Sequence, residues 1–324
     1  MESGARDRNR RRGVTFVVRF RFQPWQLAVL LAILCLAVTG GILLYRTRGA
    51  SNPADLVAYL PIDKAVIVYI DTGAIRRSGI LDMIAGSKAA EELEYQQFVD
   101  RTLFDYRQDL DAVAVAFKEG QVYLAARGNF HWKNLMDYAA QQGGSCHNSF
   151  CIVPSSRPSR RISFYPLKPN LMALGISSDD LAAYTVARRP GKLALASPTQ
   201  PLWMLVPAAA LKDTDALPAG TKPYASALQT ADQIVFTVGP DSGHLQVSLQ
   251  VTCHDVPAAE KLLVDVQNAT RMLRDGLAHE HQQPNPADLS GVLAGGTFHR
   301  DDRLVYGQWP ISRAFVDSLT GEAY

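Results

Sequence analysis

Cysteine is scarce in this chain, four among 324 residues. That scarcity excludes a disulfide-dense scaffold, and nothing in the chain supplies a second ligand pair at zinc spacing. Cys35 lies inside an apolar run and Cys253 on the apolar face of a predicted strand, as an inert core thiol. Only Cys146 and Cys151 stand close together. They bracket His147-Asn148-Ser149-Phe150 in a polar loop opened by Gly143-Gly144-Ser145. A bridge there would close a short loop, worth on the order of 2 kcal/mol in the chain-entropy picture. A disulfide is the expected state of Cys146 and Cys151; a metal site recruiting His147 is the alternative.

Catalytic patterns are also lacking. Gly143-Gly144 and Gly295-Gly296 have none of the flanking residues of a phosphate-binding loop. Gly175-Ile176-Ser177-Ser178-Asp179 sits between a predicted strand and helix, where a hydrolase nucleophile would turn, but Asp179 replaces the final glycine that turn requires. Helix capping by Ser177 or Ser178 is the simpler reading. His279 and His281 are two residues apart, so on a helix they point to different sides and do not converge on a metal. The other histidines are scattered singly. Asp179-Asp180 and Asp301-Asp302 fall at a helix start and a hairpin turn, ordinary places for aspartate. Trp132, Trp203 and Trp309 fall at element ends, where aromatics complete a core, with carbohydrate stacking as the alternative. No catalytic, cofactor-binding or metal-ligating residue is assigned, and no cofactor is expected.

Charge is uneven along the chain. Residues 1–48 hold nine of the 33 basic residues and two of the 31 acidic ones, which leaves the remainder at a net −5. A nucleic-acid partner is therefore not expected. Residues 26–45 form an uncharged, almost wholly apolar run. At about 1.5 Å per helical residue that run matches a hydrocarbon core of roughly 30 Å. Seven arginines precede it, Arg6 to Arg21, against Arg46 and Arg48 just after it. The excess orients the N-terminus to the cytoplasm. A cleaved signal peptide would have a shorter core and small residues where Leu43-Leu44-Tyr45-Arg46 stands. The expectation is a single-pass protein of a bacterial inner membrane, its C-terminal domain periplasmic and the lipid bilayer its first partner.

The organisation expected is a basic cytoplasmic tail (1–25), a transmembrane helix (26–45), a linker (46–56) and two degenerate α+β repeats (57–198 and 199–324). Ala65 to Ile70 reads as a buried strand, and Leu202 to Val206 stands for it in the second pass. Each pass continues as helix, hairpin, helix, hairpin, helix, with Phe164 and Gly175 matched by Phe298 and Gly307. Leu245, Val247, Leu249, Val251 and Cys253 alternate with polar residues, the pattern of a half-buried strand. Asp255 and Pro257 open a helix with Ala259, Leu262, Val266 and Ala269 at helical spacing. The fold class expected is α+β, mainly antiparallel sheets with helices packed on one face.

Leu60-Pro61-Ile62-Asp63, the strand after it, Asp71, and a helix with Arg76 and Ser78 resemble the start of certain uncharacterised bacterial membrane-anchored proteins. In those a single N-terminal span precedes a duplicated α/β extracytoplasmic domain. The resemblance covers the layout of residues 57–320 and implies location and architecture, with no activity or site residue. Together these readings favour binding or assembly at the envelope, with a protein partner, over catalysis. The alternatives are an envelope hydrolase acting on peptide, ester or glycan, and a small-ligand or lipid-binding domain, which predicts an apolar cavity between the two halves.

Overall fold

The computed structural model divides the chain into two compact units, Met1–Ala50 and Ser51–Tyr324. It describes residues 52–78, 93–187, 198–211, 222–241 and 244–320, all of the second unit. The apolar run 26–45 lies outside the described residues.

Twelve strands form one antiparallel sheet. Those of the first half are β1 (Val66–Ile70), β2 (Leu110–Lys118), β3 (Gln121–Gly128), β4 (Ser145–His147), β5 (Phe150–Pro154), β6 (Arg161–Lys168) and β7 (Leu171–Ser177). The second half supplies β8 (Leu202–Val206), β9 (Gln233–Asp241), β10 (His244–Thr252), β11 (Thr297–Asp301) and β12 (Leu304–Ile311). Their order is β11-β12-β10-β9-β8-β1-β2-β3-β7-β6-β5-β4. Read outward from the β1–β8 seam, the two directions match: β2, β3, β7, β6 on one side and β9, β10, β12, β11 on the other. Among the described residues the first half alone adds a further hairpin, β5–β4.

The register makes the match residue by residue. On one face a row runs Phe164, Leu174, Leu124, Val115, Val68 to the seam, then Met204, Phe236, Leu249, Gly307, Phe298. Every member is apolar or glycine, and a phenylalanine stands on the fifth strand of each side. Phe164 and Phe298 thus correspond as expected. Gly175 and Gly307 do not: Gly307 opposes Phe298, whereas Leu174 opposes Phe164 and Gly175 is one residue further on, facing the other way. A methyl group on Gly175 would meet the Ala182–Ala183 backbone at 2.7 Å, so that glycine lets the chain after β7 lie against the sheet.

The described helices are α1 (Pro53–Val57), α2 (Thr72–Arg77), α3 (Leu93–Thr102), α4 (Tyr106–Asp109), α5 (Trp132–Gln141), α6 (Lys222–Leu228), α7 (Val256–His279), α8 (Leu289–Ala294) and α9 (Arg313–Thr320). Three apolar clusters divide them between the two faces. Leu56 and Val57 of α1 and Ala182 of a short 3-10 turn bury Ile67, Tyr69, Ala114, Ala125 and Ala173 on one face of the first half. Phe98 of α3 and Leu135 and Ala139 of α5 pack over Ala126, Phe164 and Leu174 on the opposite face. Helices α6, α7 and α8 cover that same opposite face in the second half, over Ile234, Leu249, Val251 and Val305. There the other face of β10, with Ser248, Gln250 and Thr252, stays half-buried to exposed, as its alternation predicts.

The expected architecture is corrected on three counts. The two passes are halves of one continuous sheet rather than two sheets, because β1 and β8 pair directly through four residue pairs, Ile67–Leu205 to Ile70–Leu202. Helices cover both faces of the first half, because its strands are apolar on both sides. The structure also does not bear out an architecture that begins with a transmembrane helix: no described helix is long and apolar enough to cross a membrane. The longest, α7, carries Glu260, Lys261, Asp265, Arg271, Arg274 and Asp275 along its length. Smaller differences have local causes. Residues 53–57 are helical because Asn52 caps them and Pro53 fits the first turn. The expected helix after Ser177 is a single 3-10 turn, Ala182–Thr185.

Candidate ligand cavities

Among the described residues two cavities lie under the helices of the row's face, one in each half. The first, about 380 Å³, has a floor of Val113, Leu124, Ala126, Met172, Leu174 and Phe164. Phe98 of α3, Leu135, Tyr138 and Ala139 of α5, and the loop residues Phe104 and Phe130 roof it. The second, about 420 Å³, has Met204, Phe236, Val247, Leu249, Trp309 and Ile311 beneath and Tyr224, Leu228, Val266, Val292 and Phe315 above. Both volumes fall within the range of small-molecule sites, roughly 300–1,000 Å³. The second presents no polar surface and the first almost none. A void of that size lined only by carbon gives water nothing to bond, so it favours apolar occupants.

Aromatic packing shapes the walls. Phe104 stacks on Phe130 with centroids 5.3 Å apart, and Phe98 meets Tyr138 edge-on at 5.2 Å. In the second half Phe298 and Trp309 are edge-to-face at 5.3 Å. Gly307 makes room for that pair, since a methyl group there would meet Phe298 at 2.9 Å and Trp309 at 3.2 Å. The Tyr224 hydroxyl sits 2.7 Å from Thr270 Oγ1, so its polar end is bonded within the helix layer while its ring faces the cavity. Burial pushes that hydroxyl's pKa up. The Trp309 indole N–H is buried without a partner, against Gly296.

Between the cavities the same face of the seam carries Val66, Val68, Ile70 and Val115, all half-buried, and Phe117, 46% exposed. The apolar floor therefore continues from one cavity toward the other. A third cleft of about 310 Å³, with mixed polar and apolar walls, lies elsewhere, among Pro61, Ile62, Asp63, Lys118, Glu119 and Tyr123.

Of the residues weighed in the sequence for chemistry, Trp309 alone lines a cavity, and the others fall outside both. Cys146 and Cys151 are disulfide-bonded and pair across the β4–β5 hairpin, whose turn holds Asn148 and Ser149 at positive φ. The polar loop expected there is a hairpin because the bridge and that turn fix it. Ser177 is 1% exposed, and its Oγ accepts the Asp179 N–H at 3.1 Å, a local turn rather than a presented nucleophile. His279 and His281 are exposed at the end of α7. No group of three His, Cys, Asp or Glu is placed to hold a metal among the described residues. Cys253 is buried, and desolvation pushes its thiol pKa up, which suppresses the reactive thiolate. Trp132 donates its indole N–H to the Pro169 carbonyl at 2.8 Å, and Trp203 is buried on Tyr69. Burial raises the Asp111 pKa at the β2 bulge, against the pull of Arg76 and Arg127. The Arg76 guanidinium meanwhile donates to the Leu110 carbonyl at 2.5 Å.

Sequence reasoning missed the cavity walls. Phe98, Leu135 and Val266 sit at the spacing of ordinary amphipathic helices, a pattern that marks a core-facing side and not a cavity. The one signal for the second cavity was the strict alternation in β10, which puts Val247 and Leu249 on the face that becomes its floor.

No family model and no curated protein matches the chain. Among solved structures the chain is similar to crystal form I of TP0453, with a TM-score of 0.46 and 11% identity, covering 84% of this chain and 98% of that one. Crystal form III of the same protein gives 0.43 and 10%, over 84% and 99%.

Proposed function

We propose that this protein is a membrane-anchored extracytoplasmic binding protein whose ligand is apolar, a hydrocarbon chain held between sheet and helices. The two carbon-lined cavities carry this reading. Catalysis needs convergent polar groups at a pocket, and these walls offer none. The anchoring and the envelope location rest on the apolar run and its arginine flank. Of the alternatives weighed in the sequence, the lipid-binding one gains from this geometry, although the cavities lie within the halves rather than between them.

Purification of the full chain from native membranes, followed by organic extraction and mass spectrometry, tests the reading. Molecules with hydrocarbon tails, retained through washing and absent from a chain whose cavities are filled by larger side chains, are the expected result. Extracts identical for the two chains would contradict it.

A protein partner at the envelope is a second reading, favoured by one observation. β11 pairs only with β12 and leaves its other edge open among the described residues. An open edge is a template for strand addition.

A further inference from the structure

Resting on the apolar-ligand reading, the geometry points to two separate single-tailed ligands per chain, one hydrocarbon tail in each half of the sheet. We infer that the natural ligand is a single-chain amphiphile, such as a fatty acid, rather than one two-tailed lipid.

The strand order sets the distance. The floor of the first cavity is centred on β7 and that of the second on β9 and β10. Five to six strand intervals separate them. At about 4.8 Å per interval the centres are roughly 25 Å apart. The tails of a diacyl lipid leave adjacent carbons, so filling both cavities would require them to diverge across the seam. Carbons used for that crossing are not inside a cavity.

Volume sets the length. At roughly 30 Å³ for each water-sized group, cavities of this size take about a dozen methylenes apiece. One chain of moderate length fills one cavity, leaving none over to cross Val68 and Met204. The lining sets the chemistry: with no hydrogen-bonding surface inside, the buried part is plain hydrocarbon and the polar head stays outside. The near-equal volumes and the apolar walls make the two sites alike in what they take.

Native mass spectrometry of the full chain, held in an amphipathic polymer without detergent, reads the stoichiometry directly. The probes are myristate and dimyristoyl phosphatidylglycerol. The expected result is two myristates per chain, with affinity rising roughly fourfold per added methylene until the cavity is full. Ala126→Phe, filling the first cavity, and Ala225→Phe, filling the second, each reduce the count to one. Ala139→Leu and Val292→Phe are the smaller substitutions in the same walls, should either of those variants fail to fold. A single myristate in the unaltered chain, or one diacyl lipid that displaces both myristates, overturns the two-tail assignment and leaves the apolar-ligand reading standing. No binding of either probe overturns both.

Discussion

Trp203 stacks on Tyr69 across the β1–β8 seam, ring centroids 5.5 Å apart and planes 22° from parallel. Both are nearly inaccessible, and each belongs to a different half of the sheet. The seam is therefore packed as a core, so the two halves are expected to unfold together. Truncating a buried tryptophan costs roughly 3–5 kcal/mol. Trp203→Ala should lower stability by about that amount in one transition. Urea unfolding followed by circular dichroism and by fluorescence checks it; two separated transitions would show independent halves.

The disulfide anchors the outer hairpin of the first half, and Cys151 is buried beside Phe164 under α5. Replacing both cysteines by serine opens a loop with a sequence separation of 5. The chain-entropy model gives a loss of about 2 kcal/mol. Denaturant midpoints of the oxidised protein and the double-serine variant measure it. Binding in the second cavity should be unchanged, because no strand of that half touches the hairpin.

Acid should loosen the roof of the second cavity. The Asp288 carboxylate caps α8, accepting the Ser290 N–H at 2.8 Å and the Gly291 N–H at 3.4 Å. Hydrogen bonding from Ser290 holds its pKa below the ordinary carboxylate value. A folded pKa below the unfolded one means the cap's contribution is complete above the ordinary value. It is lost as pH falls through the lowered one. Asp288→Ala should cost about 1 kcal/mol at neutral pH. Asp288→Asn keeps a cap without that acid dependence. Melting temperatures from neutral to strongly acid pH distinguish the three proteins.

Gly307→Ala should act on the second cavity alone. The added methyl meets the Phe298 and Trp309 rings, and Trp309 is a cavity wall, so relief of the clash moves that ring into the void. Overpacking of this kind typically costs about 1–3 kcal/mol. Apolar-probe affinity should fall in the second half and hold in the first, read by native mass spectrometry.

Much of the sheet was legible in the chain because strand alternation is local. Leu245 to Cys253, the helix opened by Asp255 and the hairpin around Lys118-Glu119-Gly120 stand where their patterns place them, within a residue or two. The single sheet was not legible. Its joining contact, Val68 with Met204, links segments far apart in the chain, and an apolar five-residue strand carries no mark of its partner. The apolar faces on both sides of β1 were visible but fit equally well a strand buried inside one half. The cavities were least legible of all. Leu135 and Val266 sit at helical spacing whether the core beneath them is full or hollow, so only the tertiary arrangement separates lining from packing.

The most direct test of hydrocarbon binding uses Trp309, which lines the second cavity. A brominated fatty acid is titrated into the full chain carrying Trp25→Phe, which removes the tryptophan beside the apolar run, and into the same chain with Trp309→Phe added. Bromine quenches an indole only in contact. Saturable quenching in the first protein, lost in the second while Trp132 and Trp203 emit unchanged, is the predicted result. Equal quenching of both proteins, or none in either, would contradict a hydrocarbon ligand in the cavity.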